Sequence, residues 1–271
     1  MNDRKILFTD LDDTLLTTDK RVSESDLKSI DKMVSLGHHF VVDTGRPLPS
    51  AMILAREYGF DREGYYLACN NGGLLYYPYE DRVLASYPVP LSLVDELFCH
   101  AREAGLHIHT YTKTHVLSER ITDELIFYCN RIKVPFRISN PISEELTEEP
   151  IKLIVMSLKG RYVLDEFRAS HEEYFAGRLL STFSNDALLE YARPETTKGN
   201  AVKFFCNYFG VPIENAIACG DEENDITMLD VAGTGVAMKN GTDLCKTHAD
   251  YTTSHTNNES AITEVIEKFI L

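Results

Sequence analysis

The 271-residue chain has no long apolar run, no CxxC pair and no excess of basic residues. No stretch approaches the roughly 18 consecutive apolar residues of a membrane span, so a membrane protein is not expected. Lys and Arg total 27 against 42 Asp and Glu, a net charge of −15. That balance argues against nucleic-acid binding, which needs a basic footprint. It does not argue against a small anionic substrate, because a bound metal and a few local cations set the field inside a cleft. The six cysteines, at 69, 99, 129, 206, 219 and 245, are scattered. They spell neither a zinc knuckle nor a redox pair, and buried free thiols are the expectation. The polar start runs into a strand pattern with no leader signature, so a cytoplasmic location is expected, and no protein partner is implied.

What is present is an ordinary globular composition, 44% hydrophobic and 25% charged, in a length that suits one large domain or two modest ones. The organising stretch is Lys5 to Leu16, KILFTDLDDTLL. Ile6-Leu7-Phe8 is the apolar run of a buried parallel strand. It stops at Asp10-Leu11-Asp12-Asp13-Thr14, where an extended backbone points Asp10 and Asp12 the same way. Carboxylates at the carboxyl end of a central strand lie where open α/β sheets bind ligands. Two such charges about 4 Å apart repel by roughly 4 kcal/mol at an effective dielectric near 20. A cation between them is therefore expected, and hard oxygen ligands suit Mg²⁺. Taken alone, the same residues could be an acidic turn that caps the next segment.

The first eighty or so residues alternate strands and helices. Ser23 caps a helix to Leu36, and His39–Val42 is a strand ending in Asp43-Thr44-Gly45-Arg46. Pro47 opens a helix to Tyr58, and Tyr65–Cys69 is a strand followed by Asn70-Asn71-Gly72-Gly73 and a hairpin-like LLYYPYEDRVLASY. The character changes around Asp81 to Tyr87, and residues 88–192 lack this punctuation. They alternate short strands with helices around 92–104, 119–131 and 161–174, the pattern of an inserted α+β cap. Beyond Pro194 the first pattern returns: a helix from Lys198, the strand Ala216–Cys219 ending in Gly220-Asp221, a helix at Asn224–Val231, the strand Gly235–Met238 and a final helix, 259–270. The organisation expected is a doubly wound, Rossmann-like α/β core with a parallel sheet, formed by 1–82 and 193–271, and an α+β cap formed by 83–192.

Each core strand ends in a different chemical tool: Asp10 and Asp12, then Thr44 and Arg46, then Asp221, Asn224 and Asp225, with Lys198 opening a helix. Singly, each has a dull explanation as a turn residue, a solvated cation or a first-turn acid. Together they suit phosphoryl transfer. One carboxylate can attack phosphorus, and another can protonate the leaving oxygen and then take a proton from water. Acids can hold Mg²⁺ against the dianion, and a hydroxyl and an ammonium can steady the equatorial oxygens.

With FTDLDDTLL, VVDTGRP, CNNGG, TTKGNAV and GDEENDITML in this order, the chain resembles the haloacid dehalogenase superfamily, in its Cof-type, sugar-phosphatase-like branch with a large α+β cap. The resemblance implies that Asp10 is the nucleophile and Asp12 the general acid/base. It further implies that Asp10, the Asp12 carbonyl and Asp221 bind Mg²⁺, supported by Asp225. Thr44 and Lys198 would hold the phosphoryl group, Lys198 also pairing with Asp10. Arg46, Asn71 and Asn224 match positions lining the phosphate, Thr14 would brace the loop, and the cap would choose the leaving group. The activity implied is Mg²⁺-dependent hydrolysis of sugar phosphates or similar small phosphorylated metabolites through an aspartyl-phosphate. A phosphosugar mutase or a non-catalytic metabolite-binding regulator on the same fold are the alternatives. A phosphate-accepting receiver would need only about half this length.

Two positions depart from the family pattern. Asp13 stands where Gly is frequent, which puts the loop's shape in question. Asp43 stands where a small residue is usual, adding a carboxylate that could hold Arg46. Within the cap, His107 and His109 share one face of a strand, with His115 on the next. An exposed polar strand face is the expectation there, a substrate-facing strand the second reading and a metal site the third.

Overall fold

The computed structural model describes residues 4–112 and 114–271. In chain order, the first part comprises β1 (Ile6–Thr9), α1 (Glu24–Ser35), β2 (His39–Asp43), α2 (Leu48–Tyr58), β3 (Tyr65–Cys69), β4 (Leu74–Tyr77) and β5 (Arg82–Ser86). The middle comprises α3 (Leu91–Glu103), β6 (His107–Tyr111), β7 (Val116–Ser118), α4 (Asp123–Ile132), β8 (Phe136–Ile138), β9 (Lys152–Met156), α5 (Arg161–Phe175), β10 (Leu180–Asn185) and β11 (Leu188–Ala192). The last part comprises α6 (Lys198–Phe209), β12 (Ala216–Gly220), α7 (Ile226–Val231), β13 (Thr234–Ala237), α8 (Asp243–Thr247), β14 (Tyr251–Thr252) and α9 (Ala261–Phe269). None of these helices is long and apolar enough to cross a membrane.

The chain divides into two compact units: one runs to Ser86 and resumes at Glu195–Leu271, and the other is Tyr87–Pro194. The first boundary falls after 86 rather than after 82, because β5 pairs with β4 and extends the core sheet. The return falls at 194/195 rather than 192/193.

In the core unit the strand order is β14-β13-β12-β1-β2-β3-β4-β5. The pairs from β14 to β3 are parallel, and β4 and β5 run antiparallel at one edge. From β1 the chain moves outward to β2 and β3, whereas β12 leads outward the other way. The crevice between β1 and β12 is thus the switch point of a doubly wound sheet, where such folds place ligands. Alternation along β1 explains why both faces are covered. Leu7 joins Phe40, Val42 and Leu67 against α1, α2 and α9, whereas Ile6 and Phe8 join Val41 and Ala68 against α6 and α7.

Local signals set the helices that reach the site. Ser23 accepts from the Asp26 amide to cap α1, and Thr197 accepts from the Asn200 amide to cap α6, which places Lys198 in its first turn. Short elements went unread in the sequence: β8 is three residues, α8 five and β14 two. At those lengths no periodicity can build up.

The inserted unit has a six-stranded sheet ordered β10-β11-β9-β6-β7-β8, antiparallel except between β7 and β8. One face carries Ile108, Leu153, Val155, Leu189 and Tyr191 against apolar residues of α3 and α5. The alternate residues His107, His109, Lys152 and Glu190 take the other face. All four are buried, so the expected exposed strand face is not what forms. His107 Nε2 and His109 Nδ1 lie 3.0 Å apart, His107 Nδ1 meets the Thr122 hydroxyl that caps α4, and His109 packs on the Tyr128 ring. These histidines hydrogen-bond each other within a polar layer under α4. Among the described residues, no group that could hold a metal includes them.

Candidate active site

The carboxyl ends of β1 and β12 bring three acids together. Carboxylate oxygens of Asp10, Asp221 and Asp225 all lie within 4.8 Å of one another, and all three residues are buried. The Asp10 amide donates to Cys219 O at 3.0 Å, tying the start of the first loop to β12. Lys198 reaches in from α6, fully buried, and donates to Asp10 Oδ1 at 2.6 Å and to Asp225 Oδ1 at 2.5 Å. A buried ammonium would ordinarily lose its proton; here the two carboxylates outweigh burial and raise its pKa instead.

Asp225 is already engaged at both oxygens. Its Oδ1 takes Lys198, and its Oδ2 accepts the amides of Asp221 at 2.8 Å and Glu222 at 3.0 Å. It therefore holds the lysine and shapes the loop after β12. Gly220 makes that packing possible, since a Cβ there would sit 2.3 Å from Asp225 Cβ. Gly199 does the same between α6 and α7, where a Cβ would lie 2.3 Å from Thr227 O. Asp221 is braced by the Thr14 hydroxyl, which donates to its Oδ1 at 2.6 Å.

One ammonium does not neutralise this cluster. Burial, with Lys198 pulling the other way, pushes the Asp10 carboxyl up to about 7. Burial, then the charges of Asp225 and Asp10, push Asp221 up to about 8. Acids this reluctant to ionise mark a place where further positive charge would be bound strongly. The free valences are carboxylate oxygens, the hard donors that suit Mg²⁺ and not a soft metal. The residues present thus fit a divalent cation.

Asp12 sits differently. Its carboxylate is not part of the acid cluster; it accepts a two-point pair from Arg46, Nε to Oδ2 and Nη2 to Oδ1, both at 2.7 Å, and a third bond from Lys20 at 3.0 Å. Burial would raise this acid, but Arg46 and Lys20 together hold it below the ordinary carboxylate range. Arg46 is therefore partnered by Asp12 and not by Asp43, contrary to the expectation from sequence. Asp13 takes the positive φ, 60°, that its Gly-like position requires, so the loop keeps its shape.

Thr44 is buried at the end of β2, its amide bonded to Ala68 O at 2.8 Å and its hydroxyl accepting the Arg46 amide at 3.2 Å. The Asn71 amide returns to Thr44 O at 2.9 Å, and the Asn224 side-chain amide donates to Asn71 Oδ1 at 3.0 Å. The residues expected from sequence thus form three linked groups: Asp10, Asp221, Asp225 and Lys198; Asp12 with Arg46; and Thr44, Asn71 and Asn224. Lys20 on Asp12 was not foreseen. Nothing in the sequence distinguishes it from a solvated loop cation, since only the fold of the 17–22 loop brings it there.

The sequence profile of the haloacid dehalogenase-like hydrolase family matches residues 7–266. The chain belongs to that family. A 5-amino-6-(5-phospho-D-ribitylamino)uracil phosphatase of Bacillus subtilis is 27% identical over 276 residues, covering 97% of each chain. A pyridoxal phosphate phosphatase of Escherichia coli is 26% identical over 253 residues, covering 91% of this chain and 92% of that one. Among solved structures, a haloacid dehalogenase-like hydrolase from Bacteroides thetaiotaomicron superposes with a TM-score of 0.85 at 26% identity, covering 98% of this chain and 99% of that one. The fold class and the Cof-type, phosphatase-type placement expected from the strand-end motifs are met in this haloacid dehalogenase-like hydrolase.

Proposed function

We propose that this hydrolase is a phosphomonoesterase that works through an aspartyl-phosphate on Asp10. The observation that carries the reading is the buried set Asp10, Lys198, Asp221 and Asp225 at the β1/β12 switch point. Asp10 keeps one oxygen on Lys198, which orients the carboxylate and leaves the other oxygen to attack phosphorus. As the phosphorus–oxygen ester bond breaks, the leaving alkoxide takes a proton from Asp12. Asp12 then removes a proton from water, the water oxygen attacks the phosphorus of the aspartyl-phosphate, and inorganic phosphate leaves with Asp10 restored. Asp12 can donate a proton only after leaving its two-point pair with Arg46 and taking up a proton from solvent, which the later proton from water then replaces. The phosphoryl dianion is the natural competitor for that guanidinium, so substrate entry and release of the acid are coupled. Thr44 and Lys198 face the equatorial oxygens in this reading, with Asn71 and Asn224 supporting the neighbouring loop.

Asp10, Asp221 and the Asp12 carbonyl would hold Mg²⁺, with Asp225 behind them. When bound, the ion neutralises the phosphoryl dianion so that a carboxylate can approach it. Sugar phosphates and related small phosphorylated metabolites are the substrate class, in line with the relatives that carry phosphatase names, and substrate choice is assigned to Tyr87–Pro194. The protein is read as acting in the cytoplasm, with no nucleic acid as partner.

The test is phosphate release from a panel of sugar and nucleotide monophosphates, with and without Mg²⁺, using wild type and Asp10→Asn. Mg²⁺-dependent release that falls by on the order of 10⁴-fold or more in the variant is expected. Release that survives in Asp10→Asn would sink the nucleophile assignment. An acid-stable protein phosphoryl label without net release would point to transfer between hydroxyls instead.

A further inference from the structure

Two cations hold Asp12, and they hold it differently. Arg46 takes both carboxylate oxygens, Nε on Oδ2 and Nη2 on Oδ1, each at 2.7 Å, whereas Lys20 takes Oδ1 alone at 3.0 Å. The guanidinium presents a planar fork that also suits a phosphoryl dianion, so it has a second use. The Lys20 ammonium is half-exposed and also lies 3.8 Å from Asp13 Oδ1. Everything it touches in these two contacts belongs to the loop after β1.

The backbone that carries Lys20 is anchored in unusual detail. Leu16 bridges Val22, the Thr17 amide donates to Arg21 O and the Lys20 amide to Thr17 O, both at 2.8 Å. Three asparagines from the far end of the chain tie this hairpin down. Buried Asn257 donates to Leu16 O at 2.9 Å, and Asn258 accepts the Thr18 amide at 2.9 Å and donates to the Thr18 hydroxyl at 3.0 Å. Asn240 donates to Asp13 O at 2.7 Å and accepts the Asn257 amide at 2.9 Å, so one network fixes both the Asp12 side and the Lys20 side of the loop. Lys20 itself has a φ of 59°, a left-handed conformation that lysine rarely adopts. An exposed ion pair adds little to stability, so the strength of the Lys20–Asp12 bond does not explain this anchoring. Its direction does.

We propose that Lys20 is a positioning residue that keeps Asp12 Oδ1 when Arg46 turns to the phosphoryl group, leaving Oδ2 as the oxygen that passes the proton. An oxygen that accepts from an ammonium is the carbonyl side of a carboxylic acid, so the proton taken from solvent sits on Oδ2. That proton goes to the leaving oxygen as the ester bond breaks, and Oδ2 then receives one from the attacking water. Without Lys20 the freed carboxyl turns about its side-chain bonds, and proton transfer loses its aim. This role rests on the phosphatase reading.

Two measurements test it. The first compares wild type, Lys20→Met and Lys20→Arg on an alkyl phosphate and on p-nitrophenyl phosphate, whose leaving group departs without a proton. The ratio kcat/KM reports the steps up to departure of that group, so the later attack by water does not enter. Lys20→Met should lose on the order of 10- to 100-fold on the alkyl ester, a loss at least about fivefold greater than on the nitrophenyl ester. Lys20→Arg keeps a donor and should recover most of the loss. A smaller split between the esters, or no loss on either, would overturn the proposal. The second measurement is a crystal structure of the wild type with Mg²⁺ and saturating inorganic phosphate. Arg46 is expected on the anion, with Lys20 still bonded to Asp12 Oδ1. Arg46 still paired with Asp12, or Lys20 released from it, would overturn the proposal whatever the kinetics. If wild type releases phosphate from no ester, the phosphatase reading fails, and the crystal structure still decides which cation keeps Asp12.

Discussion

The two units bury polar groups in opposite ways. In the inserted unit, Lys152 meets Glu190 at 3.0 and 3.1 Å, His107 meets His109 and Thr122, and the Tyr111 and Tyr128 hydroxyls meet each other. There a buried lysine meets a buried carboxylate, and burial favours the neutral imidazoles of His107 and His109. In the core unit, Asp10 and Asp225 share the Lys198 ammonium, Asp221 lies in the same acid cluster, and burial pushes the Asp10, Asp221 and Asp43 carboxyls upward. The first arrangement holds a layer together. The second holds an unmet demand for positive charge, in a group of acids that could hold a metal ion.

The sharpest way to break this comparison is to remove the buried ammonium shared by Asp10 and Asp225. Lys198→Met keeps the length of the side chain and leaves Asp10 and Asp225 facing each other without it. Losing one partner of a buried charge set costs about 3–5 kcal/mol, so the urea midpoint should fall accordingly and turnover should vanish. A loss below about 1 kcal/mol would mean that the acids neutralise themselves by protonation and that the core is no more demanding than the insert.

That arrangement was partly written in the sequence. Asp10, Asp12, Thr44, Lys198 and Asp221 could be read because each ends a strand or opens a helix, where α/β folds gather chemistry. Their grouping could not. Asp225 looked like a metal ligand, and only its contacts show both oxygens engaged by Lys198 and the 221–222 amides. Asp43 was expected on Arg46, but a strand residue alternates faces, and among the described residues no donor reaches its buried side chain. His107 and His109 looked exposed because period-two alternation marks a face without saying what covers it; α4 does. Boundaries drifted for a similar reason, since β5 is a largely exposed edge strand whose sequence carries no core-like run.

A smaller effect sharpens the contrast by pH. Burial depresses His107 to about 4 and His109 well below the ordinary value, with Glu124 opposing and Arg120 and Lys152 reinforcing. Their neutral forms stabilise the insert fully above about 6.5, and that stability is lost as pH falls toward about 4, on the order of 3 kcal/mol for His107. Acids with raised pKa behave oppositely, so Asp221 and Asp10 favour the folded core as pH falls through about 8 and about 7 respectively. Amide exchange at pH 7 and 5, corrected for intrinsic rate, should show β6 and α4 losing protection while β1 and β12 keep theirs. His39, itself depressed to about 4, blunts the core's gain without reversing it at the site strands. Equal loss in both units would erase the distinction.

The most direct measurement is the melting temperature of wild type and Asp221→Asn against Mg²⁺ concentration at pH 8. An acid-rich core that binds the ion only when folded should be stabilised by about 2.7 kcal/mol at one hundred times the dissociation constant. The account predicts a rise in wild type that grows with the logarithm of Mg²⁺ and is displaced at least about tenfold in concentration for Asp221→Asn. A wild-type melting temperature indifferent to Mg²⁺, or identical curves for the two proteins, would contradict it.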